Sequence, residues 1–116
     1  FFLEILPSET FIPAGGQGII ALQIRANDDQ TKSFIQPVND RETLLCLQAE
    51  REFLSRLHGD CNFPVGVHAT ISNGRMKLRA QLFEGESPAP RHAEVDGMFD
   101  EGTRLAAELL RKIEQD

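Results

Sequence analysis

The chain has 116 residues and a mass of 13.0 kDa, with 41% hydrophobic and 26% charged residues. This composition is typical of one globular domain with at most part of a second, and it excludes a disordered or fibrous protein. The net charge of −6 argues against non-specific nucleic-acid binding, and no apolar run approaches the roughly 20 residues that span a bilayer.

The pattern of residues 1–36 predicts an orphan piece of an α/β domain, which is one strand followed by one helix without partner strands. A glycine-rich loop leads into the apolar run 19–24, which is typical of a strand buried on both faces of a parallel sheet. N-cap residue types at 27–29 predict a short helix to Gln36, which Pro37 ends. Because one strand cannot form a sheet, its partner strands are expected outside this chain. The chain starts with three apolar residues rather than Met, so we expect the C-terminal part of a longer protein.

Residues 39–116 predict a self-sufficient C-terminal domain of the α+β class. Leucines at helical spacing predict a helix over residues 40–57, with Asn39 and Glu42 as a variant capping box. Gly59 is predicted to end this helix in the left-handed conformation.

Three strands and a second helix follow in this domain. The Asn73-Gly74 pair predicts a two-residue hairpin turn, and residues 75–83 alternate apolar and polar. The result is a three-stranded antiparallel sheet covered by helices on one face. The predicted strands span residues 65–71, 75–83 and 91–96, and the final helix spans residues 98–114.

Cys61 is the residue best suited to chemistry. It follows the predicted helix between Asp60 and Asn62, two polar neighbours, so it is expected to be accessible. A helix C-terminus and Asp60 both disfavour a thiolate. Cys61 is therefore either an ordinary loop thiol or a covalent tether rather than a thiolate catalyst. Cys46 lies inside the predicted helix and is expected to serve packing.

The loop 15–18 and Arg25 are weaker candidates. Glycines let backbone N–H groups approach an anion or a flat ligand, but the same residues also form simple tight turns. Arg25 ends the predicted strand, where open α/β sheets bind ligands, and a surface arginine is the alternative.

The histidines and the basic residues of the second strand indicate no further functional site. The histidines have no metal-ligand spacing, so no metal site is predicted. The basic side of the second strand lacks interleaved aromatic residues and is interpreted as a solvated face. The histidines are His58, His68 and His92, and the basic residues are Arg75, Lys77 and Arg79.

Two segments together resemble the porphobilinogen deaminase family, also called hydroxymethylbilane synthase. Residues 13–18 read P-A-G-G-Q-G, similar to the family's P-A-x-G-Q-G loop before a strand that ends in Arg. Residues 50–66 read E-R-E-F-L-S-R-L-H-G-D-C-N-F-P-V-G, similar to the family's E-R-x-F/M-x-x-x-L-x-G-G-C-x-x-P-(I/V)-G. Both occur in family order and spacing, and the resemblance covers the chain from about residue 8.

The resemblance implies a transferase of heme biosynthesis that makes hydroxymethylbilane from four porphobilinogen units and releases ammonia. It implies a dipyrromethane cofactor joined by a thioether to Cys61, which agrees with the tether interpretation. By motif match, Gly16, Gln17, Gly18 and Arg25 belong to the cofactor-binding loop and strand end. Arginine suits the acetate and propionate groups of porphobilinogen.

The resemblance also implies a division of the chain. Residues 1–36 match the end of domain 2 and the returning strand and helix of domain 1, and residues 39–116 match the cofactor-attachment domain. The family's catalytic aspartate belongs to the missing domain 1, so no catalytic residue is expected here and the fragment alone is expected to be inactive. The implied partners are porphobilinogen and domains 1 and 2, without nucleic acid or membrane. The implied location is the cytoplasm, or a plastid in a plant or alga.

Some residues depart from the family pattern. Asp60 replaces the second glycine before the cysteine, which adds a negative charge beside an anionic cofactor. Residues 62–63 and 23–24 differ from the common Gln-Val and Glu-Cys pairs. These departures concern fine geometry and turnover rather than the attachment chemistry. The alternative function is a non-catalytic binding module that kept the fold and now binds an anionic ligand or a partner.

Overall fold

The computed structural model describes residues 1–57 and 64–115. Its centre is a three-stranded antiparallel sheet whose strands lie side by side in chain order, with two helices packed on one face and on each other. This is the predicted α+β domain. In chain order the elements are α1 (Asp29–Ile35), a 3-10 turn (Gln36–Val38), α2 (Arg41–Arg56), β1 (Val65–Ser72), β2 (Arg75–Leu82), β3 (Arg91–Met98) and α3 (Gly102–Gln115).

The hairpin between β1 and β2 has the predicted turn. Asn73 and Gly74 have φ angles of 54° and 73°, the left-handed values that a type I′ turn requires at both central positions. The turn fixes a register in which Ala69 faces Leu78. Alternate β2 side chains are consequently buried under the helices, as the period of two predicts. These side chains are Met76, Leu78, Ala80 and Leu82.

The core lies between this sheet and the two helices. Phe53 of α2 is fully buried, and α3 buries one stripe of residues at helical spacing. Each large apolar side chain buried in this way contributes about 1.5–3 kcal/mol through the hydrophobic effect. The α3 stripe consists of Leu105, Ala106, Leu109 and Ile113.

The predicted capping box of α2 is wrong by one residue. The N–H of Asn39 donates to Gln36 O at 3.1 Å and closes the 3-10 turn, so the helix begins after Asp40. The Asp40 carboxylate accepts a hydrogen bond of 2.7 Å from the hydroxyl of Thr43. The proline-containing turn therefore decides where α2 starts.

The predicted strand over residues 19–24 does not form. These residues belong to no sheet, and Ile20 and Leu22 are 89% and 62% exposed. A strand needs a neighbour to satisfy its backbone groups, and no strand of the described residues lies beside it. The following helix is present as α1, capped by Asp28, which accepts from the N–H of Thr31 at 3.0 Å. The predicted helix end at Gly59 lies outside the described residues.

Candidate functional site

Residues 14–18, here called the glycine turn, form a compact double turn. The N–H of Gln17 donates to Ala14 O at 3.0 Å, and the Gln17 side-chain oxygen accepts from the Ala14 N–H at 3.1 Å. Gly16 and Gly18 have φ angles of 78° and 84°, which residues with a Cβ rarely adopt. The glycines are therefore required by the backbone of the turn itself.

Glu50 of α2 joins the glycine turn to the sheet. One carboxylate oxygen accepts from the N–H of Gly16 at 2.8 Å, and the other accepts from the N–H of Ala69 in β1 at 2.8 Å. Nδ1 of His68 lies 3.5 Å from the second oxygen. Glu50 is only 3% exposed, and these backbone donors compensate the cost of burying its carboxylate.

Steric fit holds the segment before the glycine turn against β1. The N–H of Val67 donates to Pro13 O at 2.9 Å. A Cβ at Gly66 would lie 2.5 Å from the carbonyl oxygen of Ile12, and a Cβ at Gly15 would lie 2.6 Å from Cδ1 of Leu54. Glycine at these two positions allows the chain to approach β1 and α2 this closely.

A cleft of about 360 Å³ opens beside the glycine turn and is acidic. Three carboxylates line it, from Asp40, Glu42 and Glu50, and neither arginine nor lysine occurs among its described lining residues. The described part of the cleft therefore repels carboxylate groups. Gln17 and Gly18 form one wall.

Cys46 also lines this cleft, as a half-buried thiol packed against the core. Burial raises the pKa of Cys46 most, and the carboxylates of Glu50, Glu42 and Asp40 add to it, so that together they bring this pKa to about 11. The thiol is consequently neutral near pH 7, which agrees with a packing role.

The structure brings some of the predicted site residues together. Gly16, Gln17 and Gly18 share the glycine turn, whereas Arg25 is exposed and does not line the cleft. Cys61 lies outside the described residues. In the sequence it stands between α2 and β1, the two elements that hold the glycine turn.

Sequence reasoning missed the role of Glu50. A signal was present, since Glu50 lies three residues after Leu47 and four before Leu54, on the stripe of α2 that faces the glycine turn. A carboxylate within such an apolar stripe indicates that hydrogen-bond donors lie close enough to satisfy it.

The outer face of the sheet carries ion pairs. Arg75 lies 2.9 Å from Asp96, Lys77 lies 3.6 Å from Glu94, and Arg79 also pairs with Glu94. The basic residues of β2 thus form a ladder with acidic residues of β3 rather than a bare positive patch.

Two further properties concern the described ranges 1–57 and 64–115. No helix there combines the length and the apolar character needed to cross a membrane. No group of three or more His, Cys, Asp or Glu side chains there is arranged to hold a metal ion.

Comparisons with known proteins agree on one family. A family model described as "Porphobilinogen deaminase, C-terminal domain" matches residues 44–114. Similar curated proteins, all named porphobilinogen deaminase, come from Chlorobium chlorochromatii (35% identity over 94% of this chain and 37% of the relative), Nitrobacter hamburgensis (32%, 97% and 35%) and Limosilactobacillus reuteri (39%, 79% and 29%).

The chain spans roughly a third of the length of these relatives. The matched residues include most of α2, all three strands and nearly all of α3, which together form the described core. The chain therefore belongs to the porphobilinogen deaminase family and carries its C-terminal domain.

Proposed function

We propose that this chain is the C-terminal part of a hydroxymethylbilane synthase. The whole enzyme polymerises four porphobilinogen units into hydroxymethylbilane with release of ammonia, in heme biosynthesis. The chain contributes Cys61 as the thioether attachment point of a dipyrromethane cofactor. The observation that supports this most is that the family match runs through the segment between α2 and β1, where Cys61 stands in the family's cysteine motif.

The proposed division of the chain follows the family. Residues 1–36 complete domains 1 and 2, and residues 39–116 are the attachment domain. An apolar groove of about 460 Å³ supports this, because it lies between residues 19–24, α1 and α2 and is open in this chain. We propose that domain 1 covers it and supplies strands beside residues 19–24. The exposed apolar residues that line it are Ile20, Leu22, Val38 and Leu44.

The residues present fit one side of the cofactor. Cys61 supplies the thioether, and Gly18 and Gln17 supply hydrogen-bond donors at the open side of the glycine turn. The cofactor, when attached, provides a fixed starting point for the growing pyrrole chain. Its acetate and propionate groups need cations, and the described cleft is acidic. Arg25 can serve only when domain 1 orders the strand that it ends.

This charge pattern also favours a fragment that is inactive alone. Most of the cations, together with the catalytic aspartate, belong to domains 1 and 2. The same acidic cleft argues against the alternative of a module that binds anions by itself.

The experiment compares the chain alone with a fusion in which the uncovered part of the Chlorobium chlorochromatii relative precedes it. Both proteins are produced in cells that make porphobilinogen. The fusion is expected to show an intact mass in excess by two pyrrole units, which Cys61→Ser abolishes and Cys46→Ser preserves. The chain alone is expected to convert no porphobilinogen into tetrapyrrole.

Two results would contradict the proposal. A folded, soluble fusion without the mass excess would refute the attachment role of Cys61. Turnover of porphobilinogen by the chain alone would refute the dependence on domains 1 and 2.

A further inference from the structure

We propose that Glu50 is a positioning residue that fixes the glycine turn at one place on the attachment domain. Its two carboxylate oxygens hold the turn and β1 at the same time. This inference deepens the proposed function and rests on it, because the turn presents the donors that would meet the cofactor.

The hydrogen bonds of the turn show which donors remain. The N–H of Gly16 is taken by Glu50, that of Gln17 by the Ala14 carbonyl, and that of Ile19 by the Gly16 carbonyl. The N–H of Gly18 has no acceptor within residues 1–57 and 64–115. A Cβ at Gly18 would meet none of the described residues within 4 Å, so they leave this edge of the turn open. Glu50 therefore holds the Gly16 side of the turn, while the Gly18 side stays available to a ligand.

Only a carboxylate satisfies both buried donors. The N–H groups of Gly16 and Ala69 each need an acceptor, and an ionised carboxylate presents acceptors at both ends. A glutamine would turn its NH2 group toward one of the two donors, and an aspartate is one methylene shorter. Either change breaks one half of the link between turn and strand.

The packing around Glu50 shows that its hydrogen bonds, rather than the apolar contacts, fix the position of the turn. Leu47 and Leu54 flank Glu50 on α2, and they contact the positions where Gly16 and Gly15 would carry a Cβ, at 3.4 and 2.6 Å. These apolar contacts hold the turn close to α2 but allow sliding, whereas hydrogen bonds fix a position along the strand. Glu50 thus sets the position of Gly18 relative to the start of β1. In the sequence, β1 begins shortly after Cys61.

The test measures amide hydrogen exchange by NMR in the 116-residue chain. In the wild type, the Gly16 amide is expected to exchange roughly 100-fold more slowly than the Gly18 amide. Glu50→Gln is expected to speed exchange at Gly16 or at Ala69, whichever amide faces the new NH2 group, by about tenfold or more, while the core amide of Leu78 changes by less than about threefold. Glu52→Gln is the matched control, because Glu52 lies on the same helix and, within residues 1–57 and 64–115, its carboxylate pairs only with Arg56, at 2.8 Å.

The exchange rates separate a positioning role of Glu50 from a merely structural one. A merely structural role would speed exchange at Gly16 and Leu78 together and would overturn the proposal. Should Glu50→Gln not fold, Glu50→Asp and the wild-type comparison of Gly16 with Gly18 decide instead, and equal exchange at these two glycines overturns it.

A second arm separates this inference from the proposed function. In the fusion protein, Glu50→Gln is expected to slow tetrapyrrole formation at least about tenfold with the mass excess on Cys61 retained, and Glu52→Gln to change the rate by less than about twofold. An unprotected Gly16 with an intact adduct refutes the positioning role alone. A protected Gly16 in a fusion without an adduct refutes the proposed function alone.

Discussion

Gly66→Ala tests whether the N-terminal segment is held against β1 as tightly as the structure indicates. The added Cβ would lie 2.5 Å from the Ile12 carbonyl oxygen, and ordinary contact begins near 3.4 Å, so the segment must move by about 0.9 Å. Such a movement would stretch the 2.9 Å bond between Val67 N and Pro13 O to about 3.8 Å, beyond hydrogen-bonding range.

The cost has two parts. Overpacking of a close-packed contact costs about 1–3 kcal/mol. The lost hydrogen bond adds about 0.5–1.5 kcal/mol, so Gly66→Ala is expected to lower the free energy of unfolding by about 1.5–4.5 kcal/mol. With a urea m-value near 2 kcal/mol/M, the midpoint of urea unfolding falls by about 1–2 M.

Gly97→Ala provides the control within the same sheet. A Cβ at Gly97 would meet Nη2 of Arg104 at 2.8 Å, the end of an exposed side chain that can rotate away, and Cδ2 of Leu105 at 3.0 Å, which has to shift by only a few tenths of an ångström. We expect a loss of about 1 kcal/mol, at the low end of overpacking costs. Equal losses for the two variants, or a Gly66→Ala protein as stable as the wild type, would refute the close approach of Ile12 to β1.

Three further expectations concern single side chains. Phe53→Ala is expected to lower the free energy of unfolding by about 3–5 kcal/mol, because Phe53 is fully buried, whereas half-buried Leu110→Ala should lose clearly less in the same denaturant titration. The raised pKa of Cys46, about 11 against 9.0, predicts alkylation at pH 7–8 about 100-fold slower than for an ordinary thiol, and denaturation should abolish the difference in mass-mapped labelling. Hydrogen bonds from the Thr31 hydroxyl and N–H hold the pKa of Asp28 below 3.8, so its stabilisation of α1 is complete above the unfolded pKa and is lost as the pH falls through the lowered folded value. A carboxyl NMR titration checks this, and Thr31→Val should move the Asp28 pKa back toward 3.8; an unchanged pKa would contradict the assigned cause.

The parts of the fold that local physics determines could be predicted from the sequence. The Asn73-Gly74 turn, the alternation along β2 and the apolar stripe of α3 each depend on neighbours within a few residues, and the structure confirms all three. The predicted N-cap of α2 was wrong by one residue, because the 3-10 turn that contains Pro37 uses the N–H of Asn39 for its own hydrogen bond.

The parts that depend on distant contacts could not be predicted from the sequence. The apolar run 19–24 has the composition of a strand, but its formation needs neighbours that the described chain does not provide. Glu50 lies 34 residues from Gly16 in sequence, so its bond to the turn is visible only in three dimensions. The role of Cys61 follows from motif resemblance and stays a prediction.

The proposed attachment of a pyrrole cofactor to Cys61 can be tested at the level of single peptides. Cleavage after arginine separates the two cysteines, since residues 57–75 contain Cys61 and residues 42–51 contain Cys46. In the fusion protein, tandem mass spectrometry is expected to find two linked pyrrole units on the 57–75 peptide and none on the 42–51 peptide. An unmodified 57–75 peptide from an enzyme that makes tetrapyrrole, or an adduct on Cys46, would contradict the proposed attachment.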